Sequence, residues 1–391
     1  MTTENKNLMD IYNKFNASDI SLEIRQKTHF LASEYLGGIW SEIGRADGIV
    51  IKQILGGLTN LIFLVELPEQ VRPEGTEPRC ALLRIFYRTE HDILLSEAVV
   101  FTMLSERNLG PKVYGVFPGG RFEEYIPSRN LETLELAEPR IARKIAQLMA
   151  QVNSLNVPIS KTPRIVEAAR KWLNDYRELR SEPINIFTTK ADVPSGTYPS
   201  TVTIDELHKE LDFVEYFLKN SGSPVVFCHN DLHEGNILLH NTPDEKLTLI
   251  DFEFACYNYR GFDLAHQFCE YAMNYTNEEP PYYRIFNENF QVEKERETFA
   301  DAYIDEIYRI DGQVKLPPGV VTGDRGTDVK QVRDETRIFM PVTLIIWAMF
   351  GLLIAENNPT PFDQRTYAID RLALYYNQKK FMQEFLQDKN L

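Results

Sequence analysis

The stretch FCHNDLHEGNILL, residues 227–239, sets a His, an Asp and an Asn between two apolar runs, and the reading of that spacing decides the rest of the chain. His229, Asp231 and Asn236 fit the pattern H-x-D-x-x-x-x-N. An Asp that opens such a loop can accept the proton of an attacking hydroxyl, and an Asn five residues on can offer an amide oxygen to a magnesium ion. The apolar run LTLIDFEF, 247–254, carries Asp251 at its end, where a second oxygen ligand is needed. Magnesium keeps several waters, so one Asp, one Asn and nucleotide phosphates complete its shell. The pattern points to phosphoryl transfer, in which alignment of the nucleophile and neutralisation of phosphate charge lower the barrier. Alone, HxD with a nearby Asn also describes a turn, because Asp and Asn favour turns for local hydrogen-bonding reasons. The flanking apolar runs and the strand-terminal Asp favour the enzyme loop.

Outward from this stretch the texture of the chain changes twice. Residues 1–47 are polar with scattered apolar positions and read as a helical extension. From 48 to 126, the runs GIVIKQILGG, TNLIFLVEL, CALLRIFY, KVYGVF and RFEEYI are rich in branched and aromatic residues and read as strands. One helix interrupts them, HDILLSEAVVFTMLSERNLG, with Asp92 as its expected cap and Gly110–Pro111 as its stop. After 127 the pattern is mostly helical. Ile141, Ile145, Leu148, Val152 and Leu155 form one stripe, and Thr203 stands three residues before Glu206, a capping-box spacing that opens a helix buried along Leu207, Leu211, Val214 and Leu218. The Pro/Gly/Thr-rich segments 181–202 and 311–330 read as long surface loops. The expectation is an α+β chain with the layout of a two-lobed, protein-kinase-like fold. Its small β-rich lobe would span 1–126 and its larger, mainly helical catalytic lobe 127–391.

The 391 residues suffice for two lobes with their own cores. A formal net charge of −15 argues against a nucleic-acid partner, since binders of polyanions present basic surfaces. Four cysteines with no CxxC pair give neither a zinc framework nor a disulfide ladder, and MTTENKNLMD lacks the features of a secretory signal, so a cytoplasmic protein is expected. VTLIIWAMFGLLIA, 342–355, is short of the roughly 20 residues that a membrane span needs and reads as a buried helix, so no transmembrane segment is expected.

HNDLHEGNILL followed by LIDFEFACYNYRGFDLAHQFCE resembles the paired signature of the choline/ethanolamine kinase family. Asp251, Phe252, Glu253, Asn258, Phe262, Asp263, Leu264, Ala265 and Glu270 all fit it. The resemblance extends from about residue 50 to the C-terminal helices and implies a kinase that uses ATP and magnesium. By similarity Asp231 is the catalytic base, Asn236 and Asp251 hold the metal, and His229 and Asp263 shape the loop.

Further residues follow from the resemblance alone. ILGGLTN, 54–60, is similar to the family's phosphate loop, with Gly56 and Gly57 giving the backbone room and Thr59 or Asn60 donating hydrogen bonds; on its own it reads as an ordinary hairpin turn. Arg84 stands where protein kinases place the strand lysine, with Glu97 as its expected ion-pair partner. EEYIPSR, 123–129, resembles the hinge that reads adenine, which brings in Glu124, Ile126 and Arg129. The family's cage for a quaternary ammonium maps onto Tyr275, Trp347 and Tyr367, with Glu270 as carboxylate. Phe350 stands where choline kinases carry a second Trp, a departure from the pattern, and Trp347, Phe350 and Leu353 also read as plain core of an apolar helix. Glu234–Gly235 resembles the EGN of choline kinases. The function expected is choline phosphorylation to phosphocholine, with an ethanolamine or dual kinase as the enzyme alternative and a nucleotide-binding pseudokinase scaffold as the non-enzyme one. The family implies a homodimer.

Overall fold

The computed structural model describes residues 8–43, 48–54, 60–86, 91–290, 292–357 and 362–391. The chain divides into two compact units, Met1–Arg129 with His240–Phe252, and Asn130–Leu239 with Glu253–Leu391.

In the first unit helix α1 (Leu22–Tyr35) precedes the strands β1 (Val50–Ile54), β2 (Asn60–Glu66), β3 (Cys80–Phe86), β4 (Val113–Phe117) and β5 (Gly120–Glu124). They form one antiparallel sheet in the order β1-β2-β3-β5-β4. These are the runs of branched and aromatic residues anticipated as strands. Phe63, Val65, Leu83, Ile85 and Phe122 make the inner face of the sheet, and Tyr12, Ile24, Leu31 and Trp40 from the N-terminal segment cover it. The extension is therefore part of this core. Trp40 is fully buried and donates its indole N–H to the Pro78 carbonyl at 2.8 Å, which satisfies its polar atom inside an apolar site. Helix α2 (His91–Glu106) lies between β3 and β4 in sequence. Asp92, expected as its cap, falls inside the helix.

The second unit is built on α3 (Pro139–Asn153), α4 (Ile165–Leu179), α5 (Ile204–Asn220), a two-stranded antiparallel ladder of β6 (Val225–Cys228) and β7 (Cys256–Tyr259), and α6 (Arg260–Glu270). There follow α7 (Glu293–Ile310), α8 (Arg325–Ile338), α9 (Met340–Asn357), α10 (Gln364–Gln378) and α11 (Lys380–Asp388). The capping box at the start of α5 forms as read: Glu206 N–H donates to Thr203 Oγ1 at 3.2 Å, and Thr203 N–H to the Glu206 carboxylate at 2.8 Å. Helix α9 is apolar on all sides because it runs through the core, with Leu344, Ile345, Ile346, Ala348 and Met349 fully buried. Among the described residues one stretch, Arg325–Glu356, is apolar and long enough to cross a membrane by composition, and most of its apolar window is packed inside this unit.

Two loop expectations are corrected in part. The segment 311–330 becomes helical from Arg325, because Asp324 caps α8 by accepting from Thr327 N–H at 2.8 Å. Its Gly and Thr mask the helix in composition, and the cap restores it. Within 181–202, Ile184–Asn185 pairs with Thr201–Val202 as a short antiparallel ladder.

Candidate active site

Strand β6 delivers the chain into the loop that begins at His229. Asn230 stands there in the left-handed region at φ 70°, a conformation that Asn tolerates better than most residues. Asp263, in the first turn of α6, fixes the turn. Its buried carboxylate accepts the backbone N–H of Asn230 at 2.7 Å, that of His229 at 3.2 Å, and the amide of Asn153 at 3.1 Å. Asn153 also donates to the Phe227 carbonyl at 2.9 Å and accepts from Tyr303 Oη at 2.9 Å. On the other side Asn230 donates to the Phe254 carbonyl at 2.9 Å and accepts from the Asn258 amide at 2.8 Å. Few torsions in this loop are left unfixed.

The result is a placed carboxylate. Asp231 is partly exposed while its neighbours are buried. His229 Nδ1 accepts its N–H at 3.3 Å, so His229 acts on the shape of the loop. The Asn236 amide nitrogen donates to the Asp231 carbonyl at 2.8 Å, which leaves the amide oxygen as the acceptor that Asn236 has to offer.

Helix α6 also carries His266 and Glu270. The His266 ring is buried, with Nε2 3.6 Å from Asp231 Oδ1 and Nδ1 3.8 Å from Glu270 Oε1, and its centroid lies 5.7 Å from Trp347. Burial holds its pKa down to about 4, so at neutral pH it is an uncharged imidazole. Glu270 is fully buried; Arg371 donates to Oε1 at 2.7 Å and Tyr275 Oη to Oε2. Burial would raise its carboxyl, yet Arg371 outweighs burial and holds it below the usual range. Arg371 also donates to Tyr275 Oη at 3.1 Å and lies 4.7 Å from the Tyr367 ring centre. Tyr275 and Tyr367 meet edge to face at 5.8 Å.

Trp347 and Phe350 form a second aromatic group with Trp172 and Phe254. Trp347 lies 5.4 Å from Phe350 and 5.1 Å from Phe254, both edge to face, and stacks on Trp172 at 6.3 Å. His266 touches Trp347 of this group and the Glu270 carboxylate that holds Tyr275 of the other. Of the expected cage residues, Glu270 and Trp347 border His266, Tyr275 joins Glu270 and meets Tyr367, and Phe350 packs on Trp347.

Glu234 is buried, accepts from Thr133 Oγ1 at 2.9 Å, and is pushed up to about 8 by burial and then by the Glu270 charge. A Cβ on Gly235 would come within 2.7 Å of the His233 ring, whose edge packs on Tyr275. The EGN sequence therefore lies beneath Tyr275, and its glycine leaves room for the His233 ring.

In the first unit Arg84 faces Arg121 across the β3–β5 ladder, and Glu123, two residues along the same face, sits between them. Arg84 donates to Glu123 Oε1 at 3.2 and 3.0 Å, and Arg121 to Oε2 at 2.7 Å. Burial alone would raise Glu123, but the two guanidiniums hold it at about 2. Arg84 Nη1 also lies 3.8 Å from Asp251 Oδ1, and Asp251 has a left-handed backbone at φ 61°. Such a backbone in a residue other than Gly marks a position held by its surroundings. Glu97, on α2, is half-buried and acts electrostatically on Arg121. Asn60 opens β2 opposite Phe86. Glu124 accepts from Lys112 N–H at 3.1 Å, the Ile126 carbonyl accepts from Ser128 Oγ at 2.9 Å, and Arg129 is exposed. Gly56, Gly57 and Thr59 lie outside the described residues.

Residues not singled out beforehand are Trp172, Phe254, His266, Arg371 and Glu123. Trp172 carried a signal of its own as one of three tryptophans in the chain, and Phe254 fills the aromatic position after DFE. Arg371 and Glu123 carried none, because an ion-pair partner from a distant element is set by tertiary packing.

The chain as a whole resembles known proteins. The family model "Choline/ethanolamine kinase" matches residues 51–376. Choline kinase A2 of Caenorhabditis elegans is 36% identical over 92% of this chain and 87% of its own length. A choline/ethanolamine kinase of Rattus norvegicus is 34% identical over 96% of this chain and 92% of its own. Among solved structures, choline kinase from Cryptosporidium parvum superposes with a TM-score of 0.68 at 23% identity, covering 93% of this chain and 97% of that one. Plasmodium vivax ethanolamine kinase gives a TM-score of 0.67 at 20% identity, covering 96% and 94%. These two establish the shared α+β fold, a β-rich N-terminal region with a helical C-terminal one.

Proposed function

The chain belongs to the choline/ethanolamine kinase family, and from that premise we propose that it is an ATP-dependent choline kinase that makes phosphocholine, with ethanolamine as a slower second substrate. The observation that carries the reading is the placement of Asp231, held by Asp263 through backbone hydrogen bonds and approached by a histidine that also touches the aromatic cage. Asp231 takes the hydroxyl proton as the substrate oxygen bonds to the γ-phosphorus and the bridging oxygen leaves with ADP. Asn236 and Asp251, both oxygen donors suited to a hard cation, are the residues that would hold magnesium. The metal, when bound, neutralises charge on the phosphate oxygens. Arg84, braced by Glu123, would meet the nucleotide phosphates; Gly56, Gly57, Thr59, Asn60, Glu97, Glu124, Ile126 and Arg129 complete the proposed nucleotide site.

A trimethylammonium group has no N–H to donate, so ring faces must hold it. Tyr275, Tyr367, Trp347 and Phe350 would supply them. Both Glu270 oxygens are engaged by Arg371 and Tyr275, so Glu270 acts on the cation by fixing and polarising the phenols. Support for choline over ethanolamine comes from the aromatic lining and from the EGN sequence beneath Tyr275. A homodimer and a cytoplasmic location belong to the same reading. Steady-state assays with ATP and magnesium test it: kcat/KM for choline should exceed that for ethanolamine by about tenfold. Equal or inverted values would remove the choline preference.

A further inference from the structure

A cavity of about 510 Å³ opens in the second unit where the start of α7, the α8–α9 junction, the end of α10 and the start of α11 meet. It shares no lining residue with the Asp231 loop or the aromatic cage. Its size falls in the range of small-molecule sites, roughly 300–1,000 Å³.

The charges around it are unusual for this chain. Acidic residues outnumber Lys and Arg by 57 to 42, so a basic side chain should find a carboxylate easily. Arg296, Arg337 and Lys380 all line the cavity, and none of them has a carboxylate within 4 Å among the described residues. Arg296 is buried beneath it, its Nη1 donating to the Thr336 carbonyl at 2.6 Å and Oγ1 at 2.8 Å, its Nη2 to the Phe290 carbonyl at 3.3 Å, and its guanidinium stacking over Phe268 at 4.7 Å, so it adds charge to the cavity rather than a free N–H. Burial lowers its pKa only to about 10, so it remains a cation at neutral pH. Arg337 and Lys380 are exposed and lean over the Phe381 ring, at 4.4 and 5.5 Å from its centre. Asp192 and Glu293 also line the cavity, and Glu293 acts electrostatically on Arg296 from beyond ion-pair distance, so the lining carries three cations against two carboxylates. Two neutral side chains add unused polar capacity: Gln378 Oε1 and Asn287 Oδ1 are buried without a hydrogen bond. Both are amides whose terminal torsion turns easily, so each can swing its N–H toward an occupant. Phe290, Met340 and Leu374 supply apolar wall.

Unpaired cations, turnable amides and apolar wall around one volume describe a site for a small organic anion. We propose that this cavity is a second ligand site, distinct from the catalytic one, which takes an anion with a phosphate or carboxylate head and an apolar body about the size of one aromatic ring.

Calorimetric titration of the full chain with phenyl phosphate tests this, with the nucleotide site saturated by a non-hydrolysable ATP analogue and with choline present. Saturable one-to-one binding is expected. The double variant Arg337→Gln, Lys380→Gln alters only exposed side chains; it should weaken binding by about fivefold or more, the loss of roughly one ion pair, and leave kcat for choline unchanged. Benzoate, titrated in parallel, assigns the head group by whichever probe binds more tightly, and neutral benzyl alcohol should not saturate. The proposal is overturned if neither anion saturates, if the double variant binds as the parent does, or if benzyl alcohol binds equally well.

Discussion

The two ends of α6 hold the site together with different kinds of bond. At the N-terminal end Asp263 grips the proposed catalytic loop by its backbone, through the N–H groups of His229 and Asn230. At the C-terminal end Glu270 grips side chains, the Tyr275 phenol and the Arg371 guanidinium. A backbone N–H is present whatever the side chain, so the first arrangement keeps one geometry through many substitutions nearby. Side-chain partners can be exchanged one at a time, so the second can be retuned. The first end should therefore govern the rate of the chemical step and the second the choice of alcohol. Asp263→Ala tests this most severely, because it leaves two buried N–H groups unpaired at about 1–3 kcal/mol each and frees Asp231 to move. A displacement near 1 Å costs on the order of a hundredfold, so kcat should fall by about that factor or more while KM for choline changes little. Steady-state kinetics on protein shown to be folded by circular dichroism checks this. A rise in KM with kcat preserved would break the division of labour.

Effects at the other end should be smaller and should appear in KM. Glu270→Gln strands the buried Arg371 charge, which costs about 3–5 kcal/mol in stability, and it should raise KM for choline roughly tenfold or more as the phenols lose their anchor. The double variant Glu270→Gln, Arg371→Met removes the stranded charge, so thermal stability should recover while KM stays high. Recovery of both would make Glu270 a structural residue alone. Trp347→Leu keeps much of the packing and deletes the ring face; a cation–π contact worth about 0.5–2 kcal/mol predicts a rise in choline KM of roughly two- to thirtyfold with KM for ATP unchanged. An unchanged choline KM would return Trp347 to the core.

The same contrast explains what could be read in the sequence. The loop was legible because its demands are local: His229, Asp231 and Asn236 lie within eight residues, and the Asn230 left-handed turn belongs to the same short motif. The strands and the α5 capping box were legible for the same reason. The proposed cage rests on family resemblance, since Trp347 on an all-apolar helix looks like core. Partners drawn from far along the chain stayed hidden. Arg371 meets Glu270 across 101 positions, Glu123 meets Arg84 across 39, and no periodicity encodes either pair. The helical turns from Arg325 were missed because Gly and Thr have low helix propensity, and a single Asp324 cap reverses that balance.

The smallest expected effect lies at Phe350, where this chain departs from the choline-kinase pattern. Phe350 is half-buried, 5.4 Å from Trp347, 5.1 Å from Trp172 and 5.6 Å from Phe254, so it stands inside the aromatic group. Trp offers a cation a stronger ring face than Phe. The three neighbouring rings leave little room for the larger indole, and overpacking typically costs about 1–3 kcal/mol. These terms act on different observables. Overpacking is felt by the folded protein with or without substrate, whereas the ring face is felt only when the cation is bound. Phe350→Trp should therefore lower KM for choline about twofold, which corresponds to roughly 0.4 kcal/mol, while the melting temperature falls. Ethanolamine, whose ammonium keeps N–H donors for hydrogen bonding, should respond less. If the melting temperature falls and neither KM moves, Phe350 packs the side-chain-held end of α6 without touching its ligand, and the tunable surface narrows to Tyr275, Tyr367 and Trp347.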